Sequence, residues 1–418
     1  MPVNRIDIIL EEEIKFIINT LNRNGFEAYL VGGCVRDILM GKKPKDWDIA
    51  TSALPHQVMS LFDKTIGTGL KHGTVTVVLS SQKAEVTTFR IEGKYSDHRR
   101  PDYVLFTNSL EDDLRRRDFT INSIAYHPDK GYIDPFNGIQ DIDKGIIRSV
   151  GDAGERFTED ALRMLRAVRF SAQLGFKIDQ DVIKSIENKK ALITNISLER
   201  IRDELDKILL SPYPDKFIIL KETGLLHYIL PELDRYPDCM LKYIIKGLKN
   251  IRCDRTLRWA MLLHKEGKES TVDILRRLRF DNKTVSKAGK LVESLHMEIQ
   301  DDAQNVRIAA VIAGEEIFPD ILELKEAVLR AKGFSADDMD IKKISKIKQI
   351  YTNAKEKKEC MSIKDLAVNG NDLINAGFRE GKEVGKLLNE LLMVVAKHPE
   401  MNSKDILLDL ALKLKTEL

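Results

Sequence analysis

Apolar side chains along this chain follow two different periods, and the change from one to the other divides it. Residues 8 to 24 carry Ile8, Ile9, Leu10, Ile14, Ile17, Ile18 and Leu21 at helical spacing, and Asn24-Gly25 supplies a stop. The next apolar runs are short and β-branched: Ala28-Tyr29-Leu30-Val31, Trp47-Asp48-Ile49-Ala50, Thr74-Val75-Thr76-Val77-Val78-Leu79 and Glu85-Val86-Thr87-Thr88-Phe89. Gly, Pro and Ser separate them, and they predict strands of one sheet. After about residue 140 the strand signals stop, and long helical patterns begin with Thr158 to Leu174 and Ser197 to Leu210. The pattern predicts an α+β multidomain chain, a sheet-containing head followed by helices. Pro212, Pro214, Pro231 and Pro237 punctuate the first helical units, and the last hundred residues are Lys/Glu-rich with recurrent Leu and Ile. These shifts place segments at 1–140, 141–211, 212–320 and 321–418. Gly370, Gly377, Gly381 and Gly385 read as turns and close helix contacts.

Length supports the division, since 418 residues exceed what one core usually organises. A hydrophobic content of 43% with 32% charged residues excludes a disordered chain. Lys and Arg number 67 against 65 Asp and Glu, a net charge of +2, so any polyanion site must be local. Cys34, Cys239, Cys253 and Cys360 are scattered without a C-x-x-C pair, which fits a reducing compartment and neither a disulfide framework nor a thiolate metal site. Uninterrupted apolar runs of membrane-spanning length are absent, and the expected location is the cytoplasm. The eight histidines show no metal-ligand spacing and no His-Asp dipeptide, and read as structural or solvated.

Candidate chemistry begins at Asp46 and Asp48, which flank Trp47 at i, i+2 and so share one face of a strand. Two like charges that close call for a counter-charge, and Mg²⁺ commonly takes one or two carboxylates plus substrate phosphates. Glu85, opening a later strand, can bring a third carboxylate for in-line phosphoryl or nucleotidyl displacement. Taken alone, the pair is equally well read as an exposed strand end. Upstream, Gly32-Gly33-Cys34-Val35-Arg36-Asp37 joins the strand Ala28 to Val31 to a helix. Glycines at such a turn let backbone N–H groups approach an anion, and Arg36 adds a forked donor for phosphate oxygens. By contrast, Gly67-Thr68-Gly69-Leu70-Lys71-His72-Gly73 precedes a strand and is read as a turn between strands, not as a dinucleotide fingerprint.

Gly32-Gly33-x-Val35-Arg36-Asp37 followed by Asp46-x-Asp48 resembles the nucleotidyltransferase signature of the DNA polymerase β superfamily, in the form used by tRNA nucleotidyltransferases and bacterial poly(A) polymerases. The resemblance implies a nucleotidyltransferase head with a small mixed sheet, followed by helical neck, body and tail. Arg115-Arg116-Arg117-Asp118-Phe119-Thr120-Ile121-Asn122 is similar to a second family motif, which assigns Arg117 to the nucleotide and Asp118 to the ribose hydroxyl. The polar stretch from Gly93 to Pro101 reads as a mobile loop beside the site, and the resemblance links such a loop to addition of the final adenosine.

Thr158 to Leu174 reads as one helix with Asp160 and Arg163 as i, i+3 neighbours, Arg166 and Arg169 continuing the row. A carboxylate beside a guanidinium can pair with the edge of cytosine or adenine, although an intrahelical ion pair explains the same spacing. Glu159-Asp160-x-x-Arg163 is similar to the base-selecting motif of class II tRNA nucleotidyltransferases, the CCA-adding enzymes, and Ser197-Leu198-Glu199-Arg200-Ile201 looks like a family connector. The strong motifs cover residues 26 to 210, and Leu366 to Leu373 is similar to a segment of Gram-positive-type enzymes. The implied partners are the tRNA acceptor end, ATP and CTP, with Mg²⁺ as cofactor. An enzyme adding only A or only CC, a poly(A) polymerase, and a non-catalytic RNA-binding module remain alternatives at this level.

Overall fold

The computed structural model describes residues 10–93 and 103–417. The chain divides into two compact units on either side of Arg235/Tyr236.

In the first unit, helix α1 (Glu12–Arg23) buries Ile14, Ile17, Ile18 and Leu21, the apolar stripe of the sequence pattern. Ile8 and Ile9 lie outside the described residues, and the helix starts later than the periodicity suggests. Asn24 caps its end and Gly25 takes φ +85°, the left-handed conformation that terminates helices at little cost for glycine. Strand β1 (Ala28–Val31), fully buried, runs into helix α2 (Gly33–Leu39), and strand β2 (Trp47–Thr51) follows. Helix α3 (Pro55–Leu61) leads to β3 (Thr65–Gly69), β4 (Thr74–Val78) and β5 (Lys83–Thr88). A hairpin follows, β6 (Arg90–Glu92) with β7 (Val104–Phe106), then α4 (Leu110–Arg115), a 3₁₀ turn over Thr120–Asn122, β8 (Ala125–His127) and β9 (Gly131–Ile133).

The main sheet has seven strands in the order β3-β4-β5-β2-β1-β8-β9. Only the β2–β5 pair is parallel, so the sheet is mixed. Its register sets Asp48 opposite Glu85. Tyr29, Val31, Ala50, Phe89, Leu114 and Ala125 form one core cluster on it. The glycine-rich segment from Gly67 is only partly a turn: its first residues end the edge strand β3, Leu70–His72 make a 3₁₀ turn, and Gly73 takes φ +82°. An edge strand packs on few neighbours and needs no apolar alternation, which hid β3 from a pattern reading. The three-residue strands β8 and β9 are too short to show a period.

Helix α5 (Gly138–Lys144) closes the sheet region. Strand pairing does continue past residue 140, because Ile146–Ile147 pairs in parallel with Lys177–Ile178. The predicted single helix from Thr158 is two: α6 (Ala153–Glu159) and α7 (Leu162–Leu174), broken at Asp160 and Ala161. Asp160 is extended, φ −136° and ψ 103°, and its Oδ1 accepts the Leu162 N–H at 3.1 Å. That local side-chain bond competes with continued helix and explains the break. Helices α8 (Gln180–Lys189) and α9 (Leu198–Leu209) complete the part of this unit that bears on the site.

The second unit is helical. One of its cores gathers Leu373, Leu391, Val395 and Leu407 among other apolar side chains, and Trp259 is fully buried edge-on against Phe280. Gly377 and Gly381 take φ +91° and +115° at turns, whereas Gly385 lies within the helix Lys382–Lys397. Among the described residues, no helix is long and apolar enough to cross a membrane.

Candidate active site

The end of β1, the start of β2, the Arg115–Asn122 segment and helices α7 and α9 surround a cavity of about 670 Å³ in the first unit. Its lining is dominated by guanidinium groups, with Asp48, Asp118 and Asp160 as the carboxylates. Of the residues singled out in the sequence, Gly32, Gly33, Arg36, Asp48, Arg117, Asp118, Asp160, Arg163, Arg166 and Arg169 all line it. Asp46 and Glu85 do not; both are exposed, Glu85 in β5 beside Asp48.

Gly32 is the pivot of the glycine turn. It takes φ +77°, and a Cβ built there would stand 2.9 Å from Arg117 Nη1 and 3.8 Å from Asp48 Oδ2. Glycine is therefore required both for the backbone conformation and for the convergence of Asp48 and Arg117. Burial raises the Asp48 pKa, the Arg117 charge opposes the rise, and the like charges of Glu85 and Asp46 add to it. An acid crowded in this way suits a divalent cation. Among the described residues, no three acidic, His or Cys side chains form a ligand group by themselves. The donor set thus fits a hard cation that completes its shell with substrate oxygens and water.

The arginines are held by carboxylates on neighbouring elements. Asp113, 1% exposed, accepts from Arg116 at 2.7 Å and from Arg117 at 3.0 Å, and these charges outweigh burial and hold its carboxyl below the usual range. Arg117 Nε is buried without a hydrogen-bond partner among the described residues. Asp118 accepts from Arg166 Nε at 2.7 Å, from the Phe119 N–H at 2.8 Å and from Asn122 at 3.3 Å. Although burial raises the Asp118 pKa, Arg166 and the other donors bring it down to about 2. Arg36 donates to Asp37 and, at 2.7 Å, to Asn122 Oδ1. Arg169 Nε stands 2.7 Å from Glu204 of α9, and its guanidinium lies 4.1 Å from the Phe170 ring centroid. Burial lowers Arg169 to about 10 despite Glu204.

The expected Asp160–Arg163 pairing on one helix face is corrected by the break between α6 and α7. Arg163 donates to Glu159 Oε2 at 2.5 Å and to the Arg116 carbonyl at 3.1 Å. Asp160 instead accepts from Arg200 Nη2 of α9 at 2.8 Å. Both side chains still line the cavity, as an acceptor and a donor with different anchors. Sequence reasoning did not place Asp113, Asn122, Arg200 or Glu204 at the site. Asp113 was readable as an i, i+3 and i, i+4 partner of Arg116 and Arg117; Arg200 stood in the Ser197–Ile201 connector without a role at the site, and Glu204, further along the same helix, carried no local signal.

Residues 28–148 match the model of the Poly A polymerase head domain, residues 175–236 that of the RNA and SrmB-binding site of polymerase A, and residues 253–411 that of tRNA nucleotidyltransferase domain 2. A CCA-adding enzyme of Lactiplantibacillus plantarum is 37% identical over 409 residues, 95% of each chain. One from Pediococcus pentosaceus is 34% identical over 97% of this chain and 98% of its own. The crystal structure of Bacillus stearothermophilus CCA-adding enzyme in complex with CTP superposes with a TM-score of 0.78 at 34% identity, covering 97% of this chain and 98% of that one. A glycine turn, an acid pair and an arginine-lined cavity on a mixed sheet, with relatives matching along nearly the whole length, make this chain a nucleotidyltransferase that belongs to the CCA-adding enzyme family.

Proposed function

We propose that this protein adds CCA to the 3′ end of tRNA without a nucleic-acid template, transferring CMP and AMP from CTP and ATP with release of pyrophosphate. The observation that carries the reading is a single cavity lined by Asp48, a dense set of arginines, and an anchored carboxylate and guanidinium at Asp160 and Arg163. Triphosphate, metal and base need those three kinds of group together. The reading includes a cytoplasmic location and a division into head, neck, body and tail at 1–140, 141–211, 212–320 and 321–418.

Asp46 and Asp48 would hold Mg²⁺, which when bound supplies Lewis-acid activation of the tRNA 3′-hydroxyl and neutralises triphosphate charge. Glu85, opposite Asp48 in the sheet, orients the attacking hydroxyl. Gly32 and Gly33 allow close approach of backbone to phosphate, and Arg36, Arg117, Arg166 and Arg169 bind the phosphates and sugar. Asp118, kept ionised, accepts a hydrogen bond from the ribose hydroxyl. Asp160 accepts from the exocyclic amino group of cytosine or adenine while Arg163 donates to the adjacent ring acceptor; guanine and uracil present a carbonyl where Asp160 needs a donor.

Product-length analysis on tRNA lacking CCA tests this. CTP alone should extend the RNA by two residues, and CTP with ATP by three, with no longer products. Failure to incorporate C leaves an A-adding enzyme, and long poly(A) products a poly(A) polymerase. Asp48→Ala should reduce incorporation by about 10³-fold or more while tRNA binding, measured by filter retention, is unchanged. Retained activity would remove the metal assignment.

A further inference from the structure

In the second unit, a cavity of about 510 Å³ opens between the helices Phe318–Lys332 and Met339–Glu356, beside the segment 295–299. That volume is in the range of small-molecule sites. Its floor is aliphatic, with Leu322, Ile344 and Ile347 buried in it. Four lysines reach it, Lys265, Lys325, Lys332 and Lys343, against two carboxylates, Glu298 and Asp340.

Pairing distinguishes the lysines of one wall of this cavity. On the helix Met339–Glu356, Lys342 pairs with Asp337, Lys346 with Asp301, Lys348 with Glu326 and Lys355 with Glu315. Lys343, on the same helix but lining the cavity, is in none of these pairs; Lys265, Lys325 and Lys332 likewise form no ion pair among the described residues, and Glu298 is the lining carboxylate whose charge acts on Lys325. Lys325 is half-buried and donates to the Leu295 carbonyl; burial lowers its pKa, the charge of Glu298 opposes that, and the like charge of Lys343 adds to it. With four lysines against Glu298 and Asp340, the cavity keeps an excess of positive charge, and a half-buried ammonium with donors to spare beside Lys343 is complementary to an anion.

The walls narrow the class of anion. No Phe, Tyr or Trp is among the described lining residues, so the large aromatic platforms that carry base stacking are missing and the imidazoles of His264 and His296 are the rings present. His264 is engaged by the Met261 carbonyl and the Tyr243 hydroxyl. A wholly phosphate ligand would leave the aliphatic floor wet. We propose that this cavity binds a small amphipathic carboxylate, its aliphatic chain on Leu322, Ile344 and Ile347 and its carboxylate on Lys325 and Lys343. This goes beyond nucleotidyl transfer and does not depend on it.

Titration calorimetry of the full-length protein with decanoate, kept below its micelle-forming concentration, tests the proposal against decanol, inorganic phosphate and tRNA lacking CCA. Decanoate should bind saturably at one per chain, and more tightly than decanol. Lys325→Met and Lys343→Met should each weaken decanoate by about tenfold, the loss of one charge-assisted bond. Thermal melts establish that each variant folds; if Lys325→Met does not, Lys343→Met decides. The proposal is overturned by absence of decanoate binding, by decanol binding equally well, or by phosphate binding in its place. It is also overturned if the lysine substitutions weaken tRNA and leave decanoate unaffected, which makes the cavity an RNA contact.

Discussion

Asp118 is a carboxylate held ionised in a buried position, and its environment makes it a stability determinant as well as a site residue. Burial alone would raise its pKa, but Arg166, Arg163 and Asn122 lower it to about 2. A folded pKa below the unfolded one contributes stability that is present above about pH 4 and is lost as pH falls toward 2. Asp118→Asn should therefore cost about 2 kcal/mol at neutral pH, and its deficit in urea unfolding should narrow between pH 4 and pH 2. A deficit independent of pH would locate the effect elsewhere. Arg200 works through another residue. Its guanidinium, 2.8 Å from Asp160, stabilises the charged carboxylate that selects cytosine and adenine in the proposed mechanism. Without it, the Asp160 carboxylate loses the donor that fixes its direction and turns away from the base edge, so the acceptor that tells an amino group from a carbonyl is no longer held in place. Arg200→Met should lower kcat/KM for CTP and ATP by about tenfold and narrow discrimination against GTP and UTP. Arg200→Lys should restore part of the discrimination; an equal loss for all four nucleotides would make Arg200 only a packing residue.

At the scale of elements, the turn that follows Asp118 is pinned from outside. Thr120 donates to Asp141 of α5 at 2.7 Å, and Arg148 closes on the same carboxylate at 3.2 Å. Gly138, the first residue of α5, packs directly on this turn: a Cβ there would lie 2.1 Å from the Thr120 carbonyl oxygen. Backbone cannot yield as a flexible side chain does. Gly138→Ala should destabilise the protein by about 1–3 kcal/mol and reduce nucleotide incorporation by displacing Asp118, measured by chemical denaturation and steady-state kinetics. Unchanged stability would mean that α5 shifts freely against the turn. Elements of this kind differ in how much the sequence announces them. The strands β1, β2, β4 and β5 showed themselves as short runs with buried apolar positions, β-branched most strongly in β4, set between turn residues. The edge strand β3 and the short β8 and β9 did not, and the break at Asp160 was hidden because apolar periodicity runs on through Ala161 and Leu162.

For the whole molecule, a net charge of +2 conceals strong local fields. Arginines from α2, the Arg115–Arg117 segment, α7 and α9 converge on one cavity, while carboxylates such as Asp113 and Glu204 stand behind them and cancel the total. Local order in the sequence determined the glycine turn, the Asp46 and Asp48 pair and the arginine motifs, because each depends on residues within a few positions of one another. Those motifs identified the family and most of the cavity lining. Only the tertiary structure decided which carboxylate each arginine meets, that Asp160 is held by Arg200 and Arg163 by Glu159, and that Asp48 rather than Asp46 or Glu85 lines the cavity. Ion pairing depends on approach within about 4 Å, and segments tens of residues apart acquire such distances only when sheet register and helix packing bring them together.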